Sequence, residues 1–384
     1  MEFIDLKFQQ EKIRGALDRN IHRVLDHGRY IMGPEIEELE GKLGDYVGSA
    51  HAISCASGAD ALLLSLMALG VGPGHAVFTT PFTFVATAEV ISLLGATPIF
   101  VDIDPKTFTL DPRELEKAIS ALPSRNSCMY RYRFKAPLIP KCIITVDLFG
   151  LPADYESIEA IARRYAVSVV EDGAQAFGAQ YRGKRACSFG QIGCTSFFPA
   201  KPLGCYGDGG MCFTDEEPLA SILRCLRVHG QGRHKYENIR IGINSRLDTL
   251  QAAILLAKFE IFSEEIALRD KAAQKYGELL GDNTTIEVPT VPHYCRSIWA
   301  QYCLLVKEAK NRLRVLQTLE AAGIPTAIYY PKPLHLQQAF APLGYKPGDF
   351  PVSEDISSRI FSLPMHPYLR PRDQERIAEI LNQA

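Results

Sequence analysis

The sequence reads Val169-Val170-Glu171-Asp172-Gly173-Ala174-Gln175 at one point and Thr195-Ser196-Phe197-Phe198-Pro199-Ala200-Lys201 a little further on. Each segment begins with a short run typical of a buried strand and ends in a loop that carries a charged side chain. Similar runs alternate with helical stretches from about residue 35 to about residue 215. The strand candidates are 76–79, 97–101, 143–146, 168–171, 194–197 and 210–214. This alternation predicts an α/β fold with a mainly parallel sheet and crossover helices.

Two long helical patterns flank the alternating region. Residues 9–27 predict an amphipathic helix near the N-terminus, and residues 246–275 predict one long helix. Strand and helix patterns then resume at 300–306, 311–322 and 372–381. The sequence therefore predicts a large domain over residues 1–260 and a smaller C-terminal α/β domain over residues 261–384.

The bulk composition is that of an ordinary soluble protein of 384 residues, with 22% charged residues and a formal net charge of −2. This balance offers no basic surface for nucleic acid or for an anionic membrane. The first residues lack the pattern of a signal peptide, and no uncharged apolar run approaches about 18 residues. The ten cysteines are scattered without a Cys-x-x-Cys pair, which indicates reduced thiols, a cytoplasmic location and no metal site.

The two charged side chains of the opening segments are Asp172 and Lys201. Pyridoxal phosphate needs a lysine amine to hold its aldehyde, and a carboxylate beside its pyridine nitrogen to keep the ring protonated. Lys201 and Asp172 offer these two groups, and the aromatic residues before the lysine would desolvate its amine. Taken alone, Lys201 is typical of a solvated surface charge, and Asp172 is equally typical of a plain strand cap.

A candidate phosphate site lies at Ser57-Gly58-Ala59-Asp60, where small residues lead directly into a helix. Backbone N–H groups and the helix dipole favour an anion at such a point, and Gly58 and Ala59 would be the donors. In isolation, a simple helix cap is the favoured interpretation of this motif. Phe82 and Phe84 follow a strand candidate, and one of the two rings could stack on a flat cofactor ring, although core packing is the default for such residues.

Two later segments carry polar groups that suit a phosphate or a nucleotide. They are His229-Gly230-Gln231-Gly232-Arg233 and Gly242-Ile243-Asn244-Ser245-Arg246, and a capped surface turn explains them equally well. A third segment, residues 123–141, interleaves basic and aromatic side chains. A solvated surface insertion is the favoured interpretation of that stretch, and contact with an anionic ligand is the alternative.

Taken together, these motifs resemble the DegT/DnrJ/EryC1/StrS family of sugar aminotransferases, and the resemblance covers nearly the whole chain. The motifs that carry it are Ser57–Leu62, Phe82–Thr87, Val101–Pro105, Glu171–Gln175, Ser196–Lys201 and Asn244–Asp248. The resemblance implies fold type I of the pyridoxal phosphate enzymes, with a mainly parallel seven-stranded sheet in the large domain. Within the family the chain is most similar to aminotransferases of UDP-2-acetamido-2-deoxy-3-keto-hexuluronic acid.

The resemblance also implies a role for each matching residue. Lys201 would form the internal aldimine and move protons, Asp172 would pair with the pyridine N–H, and Gln175 would lie near the ring hydroxyl. The remaining cofactor contacts would be Phe84 on the ring, Gly58, Ala59 and Ser196 at the phosphate, and Asn244 from the second subunit of a homodimer. The candidate sugar-nucleotide contacts are Arg233, Tyr329, Tyr330 and His335.

The implied reaction moves an amino group, with glutamate as the expected donor, to the C3 ketone of a UDP-linked 3-keto-hexuluronic acid. Such a product would serve surface polysaccharide synthesis, for example that of a lipopolysaccharide O-antigen. Two alternatives stay open from the sequence. The first is amination at C4 of a UDP-4-keto-hexose, and the second is a non-catalytic protein that binds a nucleotide sugar. Lys201 argues against related sugar dehydratases, which have His at that position.

The chain departs from the family pattern at three places. Ala59 stands where the phosphate motif has Thr, so one hydroxyl contact is lost while the backbone N–H remains. Gly173 replaces an Ala, which is expected to be a silent packing change. Asp147 stands where a strand end usually has His, so any role of that His is in doubt here.

Overall fold

The computed structural model describes residues 1–122 and 137–383. Within them the helices are α1 Leu6–Lys12, α2 Arg14–His27, α3 Pro34–Val47, α4 Gly58–Ala68, α5 Ala86–Leu93, α6 Pro112–Ala121, α7 Tyr155–Tyr165, α8 Glu217–Leu226, α9 Thr249–Leu280, α10 Arg312–Ala321, α11 Pro351–Arg359 and α12 Pro371–Gln383. The strands are β1 His51–Cys55, β2 His75–Thr79, β3 Thr97–Phe100, β4 Ile139–Val146, β5 Ser168–Asp172, β6 Gln180–Tyr181, β7 Lys184–Arg185, β8 Ile192–Ser196, β9 Gly210–Thr214, β10 Ile286–Glu287, β11 Cys295–Arg296, β12 Tyr302–Val306 and β13 Ile360–Leu363. Of the basic-aromatic stretch 123–141, residues 123–136 lie outside the described residues, and its end begins β4.

The large sheet has seven strands in the order β1-β9-β8-β5-β4-β2-β3. β9 is antiparallel to both of its neighbours, and the other pairs are parallel. The prediction of an α/β fold with a mainly parallel seven-stranded sheet is therefore confirmed. The predicted strands do not include β1, because His-Ala-Ile-Ser-Cys is short and half polar. Antiparallel pairing with β9, rather than its own pattern, places it in the sheet.

Both faces of the large sheet are covered by helices. Val170 belongs to a core cluster that includes side chains of α4, α5 and α8. The adjacent Val169 belongs to a different cluster, which includes side chains of α6 and α7. Successive residues of a strand point to opposite faces, so these two clusters lie on opposite sides of the sheet. Burial on both faces explains why these strands are continuous apolar runs in the sequence.

The N-terminal helical pattern is divided into two helices. The Asp5 side chain accepts the backbone N–H of Phe8 and so starts α1 earlier than the predicted residue 9. Ile13 then leaves helical geometry, with φ −108° and ψ 13°, and separates α1 from α2. Ile13 is nevertheless buried against Ile254 and Ala257 of α9. The apolar periodicity thus predicted the buried face correctly but not the break.

The long helix α9 is shared by two hydrophobic cores. Its first half contributes Leu255 and Phe262 to the core beneath the large sheet. Its second half contributes Tyr276 and Leu280 to a separate core, which includes residues of the three-stranded sheet β10-β12-β13. The predicted boundary near residue 260 falls inside this continuous helix, and the division into domains 1–260 and 261–384 stays a prediction.

A buried aspartate joins the C-terminal region to the large sheet. Asp102, just beyond β3, accepts the backbone N–H of Val352 at 2.9 Å and that of Ser353 at 2.9 Å. The Ser353 hydroxyl donates to the same carboxylate at 2.6 Å. These donors lie in the first turn of α11, where a negative charge also compensates the helix dipole. The Val101–Pro105 motif therefore positions the C-terminal region, which carries Tyr330 toward the site described next.

Candidate active site

The candidate site lies at one edge of the large sheet. β1 and β8 run in the same direction because both are antiparallel to β9, and β8 is parallel to β5. The carboxyl ends of β1, β2, β4, β5 and β8 therefore meet at the same edge. In open α/β sheets this is the edge where ligands bind. The ends of these strands and the segments that follow them carry Gly58, Phe84, Asp147, Asp172 and Lys201.

Asp172 ends β5 and is only 6% exposed. Its Oδ2 accepts the Thr87 hydroxyl at 2.8 Å, and its Oδ1 accepts the backbone N–H of Ala174 at 3.3 Å. Burial raises the pKa of Asp172, while the Thr87 hydrogen bond and the charge of Lys201 act in the opposite direction. The carboxylate is thus held in one orientation in a dry place. A cationic N–H on a bound ring would stabilise its charge there.

Lys201 lies in the tight loop that follows β8. Its backbone N–H donates to the carbonyl of Phe198 at 2.8 Å. A Cβ at Gly204 would stand 2.6 Å from the same carbonyl, so the turn requires a glycine. Burial lowers the pKa of the Lys201 ammonium, and the negative charge of Asp172 opposes this shift. A lowered pKa increases the fraction of neutral amine, which is the form that attacks an aldehyde and accepts protons.

A phosphate cradle is formed where α4 begins beside the end of β8. The Ser57 hydroxyl accepts the backbone N–H of Asp60 at 3.0 Å and caps the helix. The first N–H groups of a helix have no intrahelical partner, so those of Gly58 and Ala59 are suited to an anion. A Cβ at Gly58 would stand 2.6 Å from the Cβ of Ser196. This close approach brings the Ser196 hydroxyl to the helix start, and these residues fit the phosphate of the cofactor.

Phe82 and Phe84 have opposite environments although they are two residues apart. Phe82 is fully buried, and its ring meets those of Phe108 and Phe149 edge-on. Phe84 is 58% exposed, at the start of the segment that leads into α5. Core packing thus accounts for Phe82 and not for Phe84. The exposed ring of Phe84 suits stacking on a flat cofactor, and that role stays a prediction.

Gln175 connects three parts of the chain. Its Oε1 accepts the backbone N–H of Phe149, beyond β4, at 2.6 Å. Its Nε2 donates to the hydroxyl of Tyr330, in the C-terminal region, at 3.0 Å. The structure therefore brings Tyr330, a candidate sugar contact, to the same side of the site as Gln175 and Asp172. Tyr329 is half-buried beside it, and its ring centroid lies 6.0 Å from that of Tyr330.

The other candidate contacts lie in different surroundings. Arg233 and Asn244 are exposed on the loop that joins α8 to α9, so they are accessible to a second chain. His335 is 2% exposed; its Nε2 lies 2.9 Å from Glu354 Oε1, and its ring packs against Phe350. This burial leaves His335 little surface for contact with a sugar. The assigned roles of these three residues stay predictions.

Two buried groups at this edge were not among the predicted site residues. Thr87 orients Asp172, and its place on the first turn of α5 could have been inferred from the Phe82–Thr87 motif. Asp147 is fully buried and accepts the Tyr155 hydroxyl at 2.7 Å. Burial raises the pKa of Asp147 to about 7, and burial together with the nearby charge of Asp147 raises the pKa of Glu171. No local pattern predicts that Asp147 and Glu171 lie close together, because Asp147 follows β4 and Glu171 belongs to β5.

Residues 1–122 and 137–383 contain no group of three or more His, Cys, Asp and Glu side chains that could bind a metal ion. None of the helices in these residues is both long enough and apolar enough to span a membrane.

The fold and the groups at its edge define a pyridoxal phosphate enzyme of fold type I. Residues 11–382 match the model of the DegT/DnrJ/EryC1/StrS aminotransferase family. The chain therefore belongs to the DegT/DnrJ/EryC1/StrS aminotransferase family, and it is a pyridoxal phosphate-dependent sugar aminotransferase. The resemblance inferred from the motifs is thereby confirmed.

Individual relatives agree with this assignment. The chain is 51% identical over 369 residues to the UDP-2-acetamido-2-deoxy-3-oxo-D-glucuronate aminotransferase of Pseudomonas aeruginosa, and the match covers 96% of both chains. The crystal structure of a DegT/DnrJ/EryC1/StrS aminotransferase from Brucella abortus superposes with a TM-score of 0.93 at 49% identity, over 100% of this chain and 99% of that one. NtdA of Bacillus subtilis, solved with bound cofactor PMP, superposes with a TM-score of 0.83 at 29% identity, over 97% and 82% of the two chains.

Proposed function

We propose that this enzyme transfers an amino group to the C3 ketone of a UDP-linked 2-acetamido-3-oxo-hexuronic acid, with glutamate as the donor. The observation that carries the chemistry is the pair of half-buried Lys201 and buried Asp172, whose charges act on each other at the sheet edge. The observation that carries the substrate is 51% identity, over 96% of both chains, to an aminotransferase of that sugar.

The residues divide the work of transamination. Bound pyridoxal phosphate supplies an electron-withdrawing ring that stabilises negative charge on the carbon next to the nitrogen. Asp172 holds the ring N–H, and Thr87 keeps that carboxylate in place. The Lys201 amine accepts a proton from one carbon and returns it to another, which its lowered pKa favours.

Binding groups surround these two residues. The N–H groups of Gly58 and Ala59 and the hydroxyl of Ser196 would hold the phosphate, and the exposed ring of Phe84 would stack on the cofactor ring. Anchoring the phosphate fixes the ring relative to Lys201, so that proton transfer proceeds within one oriented complex rather than by encounter in solution.

We also propose that the enzyme is a homodimer in which Asn244 contacts the partner's cofactor. The loop between α8 and α9 exposes a group of large apolar side chains. They are Tyr236, Ile239 and Ile241, which are 88%, 62% and 89% exposed. Clustered apolar exposure of this kind marks an interaction surface. Light scattering at micromolar concentration should give twice the mass of the chain, and a monomer would contradict the proposal.

The proposal also includes the location of the enzyme in the cell. The nine cysteines within the described residues are free thiols, seven of them buried, as in a reducing compartment. We place the enzyme in the cytoplasm, where it supplies an amino sugar for surface polysaccharide synthesis, such as that of a lipopolysaccharide O-antigen.

The substrate proposal is tested by product analysis. Purified enzyme is incubated with glutamate labelled at nitrogen and with either the UDP-linked 3-oxo-hexuronate or a UDP-linked 4-keto-hexose. Mass spectrometry should find the label in the sugar only with the first substrate. Label in the second would favour amination at C4, and label in neither would overturn the proposed combination of sugar and donor. Alanine or glutamine in place of glutamate tests the donor in the same assay.

A further inference from the structure

Gln175 and Tyr330 form a short chain of hydrogen bonds with a defined polarity. The backbone N–H of Phe149 can only donate, so the atom 2.6 Å from it must be the amide oxygen of Gln175. The amide nitrogen then faces Tyr330, 3.0 Å from its hydroxyl oxygen. That nitrogen has only protons to offer, so the tyrosine oxygen is the acceptor. The orientation of the amide is therefore determined by a backbone group.

The orientation of the amide determines which N–H and O–H groups of Gln175 and Tyr330 remain to donate to other groups. Nε2 of Gln175 has a second N–H beyond the one it donates to Tyr330, and the tyrosine O–H can donate elsewhere. Burial raises the pKa of Tyr330 above its usual range, so the hydroxyl keeps its proton at neutral pH. The site thus presents hydrogen-bond donors where Gln175 and Tyr330 meet.

We propose that Tyr330 is a positioning residue that acts through Gln175, holding its amide so that the second N–H faces an acceptor oxygen of the bound cofactor. Gln175 lies three residues beyond Asp172 in the turn after β5, so a cofactor held by that carboxylate would lie near its amide. The proposal deepens the proposed function and rests on it for the cofactor alone, not for the sugar. It also gives the C-terminal region, docked by Asp102, a direct effect on cofactor binding.

A double-mutant cycle on cofactor affinity tests this proposal. The dissociation constant of pyridoxal phosphate is measured by equilibrium dialysis for the wild type, Tyr330→Phe, Gln175→Ala and the double variant. Tyr330→Phe should weaken binding about threefold to tenfold, the effect of one hydrogen bond. In the Gln175→Ala background the same change should have no further effect, because its route through the amide is gone.

A matched control removes a tyrosine hydroxyl elsewhere. Tyr368 donates its hydroxyl to Glu265, far along the chain from the loops of the site, and Tyr368→Phe should leave the dissociation constant of the cofactor unchanged. Equal weakening by Tyr330→Phe in both backgrounds would overturn the proposal, since the tyrosine would then act independently of Gln175. Unchanged cofactor affinity with a raised KM for the sugar would overturn it too, and would leave Tyr330 as a sugar contact only. Because the dialysis involves no sugar, the measured cofactor affinities are independent of whether C3 is the position aminated.

Discussion

Replacing Asp147 by asparagine should stabilise the folded protein above neutral pH. Asp147 is fully buried; its Oδ1 accepts the backbone N–H of Ala153 at 2.9 Å and the Tyr155 hydroxyl at 2.7 Å. Its other oxygen has no hydrogen-bond partner among the described residues, and the nearby carboxylate of Glu171 already accepts the backbone N–H of Cys187 and that of Phe189. Two carboxyl groups this close in a buried place cannot both ionise without a large cost, so a proton is retained in the folded protein.

The magnitude follows from the shift in pKa. Burial raises the pKa of Asp147 from 3.8 to about 7. Between these values the unfolded chain has released the proton that the folded chain still holds, so stability falls as pH rises through this window. A shift of about three units corresponds to about 4 kcal/mol, lost between about pH 4 and about pH 7 and constant above that. In Asp147→Asn the new amide would keep the oxygen acceptor and donate an N–H to Glu171, which removes this loss.

The assay is urea unfolding of both proteins at a series of pH values across that window. The stability advantage of Asp147→Asn should grow with pH by up to about 4 kcal/mol and reach a plateau above about pH 7. Asp282→Asn, at an exposed carboxylate, is the matched control and should show no such growth. A difference between Asp147→Asn and wild type that is the same at every pH, or that shrinks as pH rises, would refute the claim that the folded protein retains the Asp147 proton.

Three further substitutions test the site and the fold. Gly58→Val should weaken cofactor binding by about tenfold or more, because even its Cβ would meet Ser196 at 2.6 Å. Equilibrium dialysis measures the affinity, and an unchanged value would mean that these residues do not bind the phosphate. Asp172→Asn should keep the cofactor bound but slow the single-turnover reaction with an amino donor by about a hundredfold or more, since the ring proton loses its counter-charge; a rate near that of the wild type would contradict its role. Asp102→Ala should destabilise the fold by about 2–4 kcal/mol in urea unfolding, because it leaves donors of Val352 and Ser353 unpaired; a loss below about 0.5 kcal/mol would mean that these bonds do not dock α11.

The sequence predicted the parallel strands and the loop lysine because the patterns of both are local. A strand buried on both faces is a run of apolar residues, and Lys201 follows such a run, 29 positions after Asp172. The edge strand β1 escaped prediction because its pairing with β9 involves residues far apart in the chain. The break at Ile13 escaped for a related reason, since that residue keeps the apolar spacing while its backbone departs from the helix.

Contacts between residues far apart in the chain limit prediction of the site in the same way. Phe82 and Phe84 are indistinguishable in the sequence, and only the fold separates the buried ring from the exposed one. The contact between Gln175 and Tyr330 joins residues 155 positions apart, which no local pattern reports. The resemblance implied a sugar contact for His335, yet its environment depends on a contact with Glu354, 19 positions away, which the sequence does not reveal.

The most direct test of the central claim is the reaction run in reverse as a single turnover. Purified enzyme carrying pyridoxal phosphate on Lys201 is mixed with UDP-linked 3-amino and 4-amino sugars, each with and without a carboxylate at C6. Loss of the absorbance of the lysine-bound cofactor is then followed over time. We predict that the 3-amino uronic acid alone bleaches it. Bleaching by a 4-amino sugar, or by none of the four, would contradict the account.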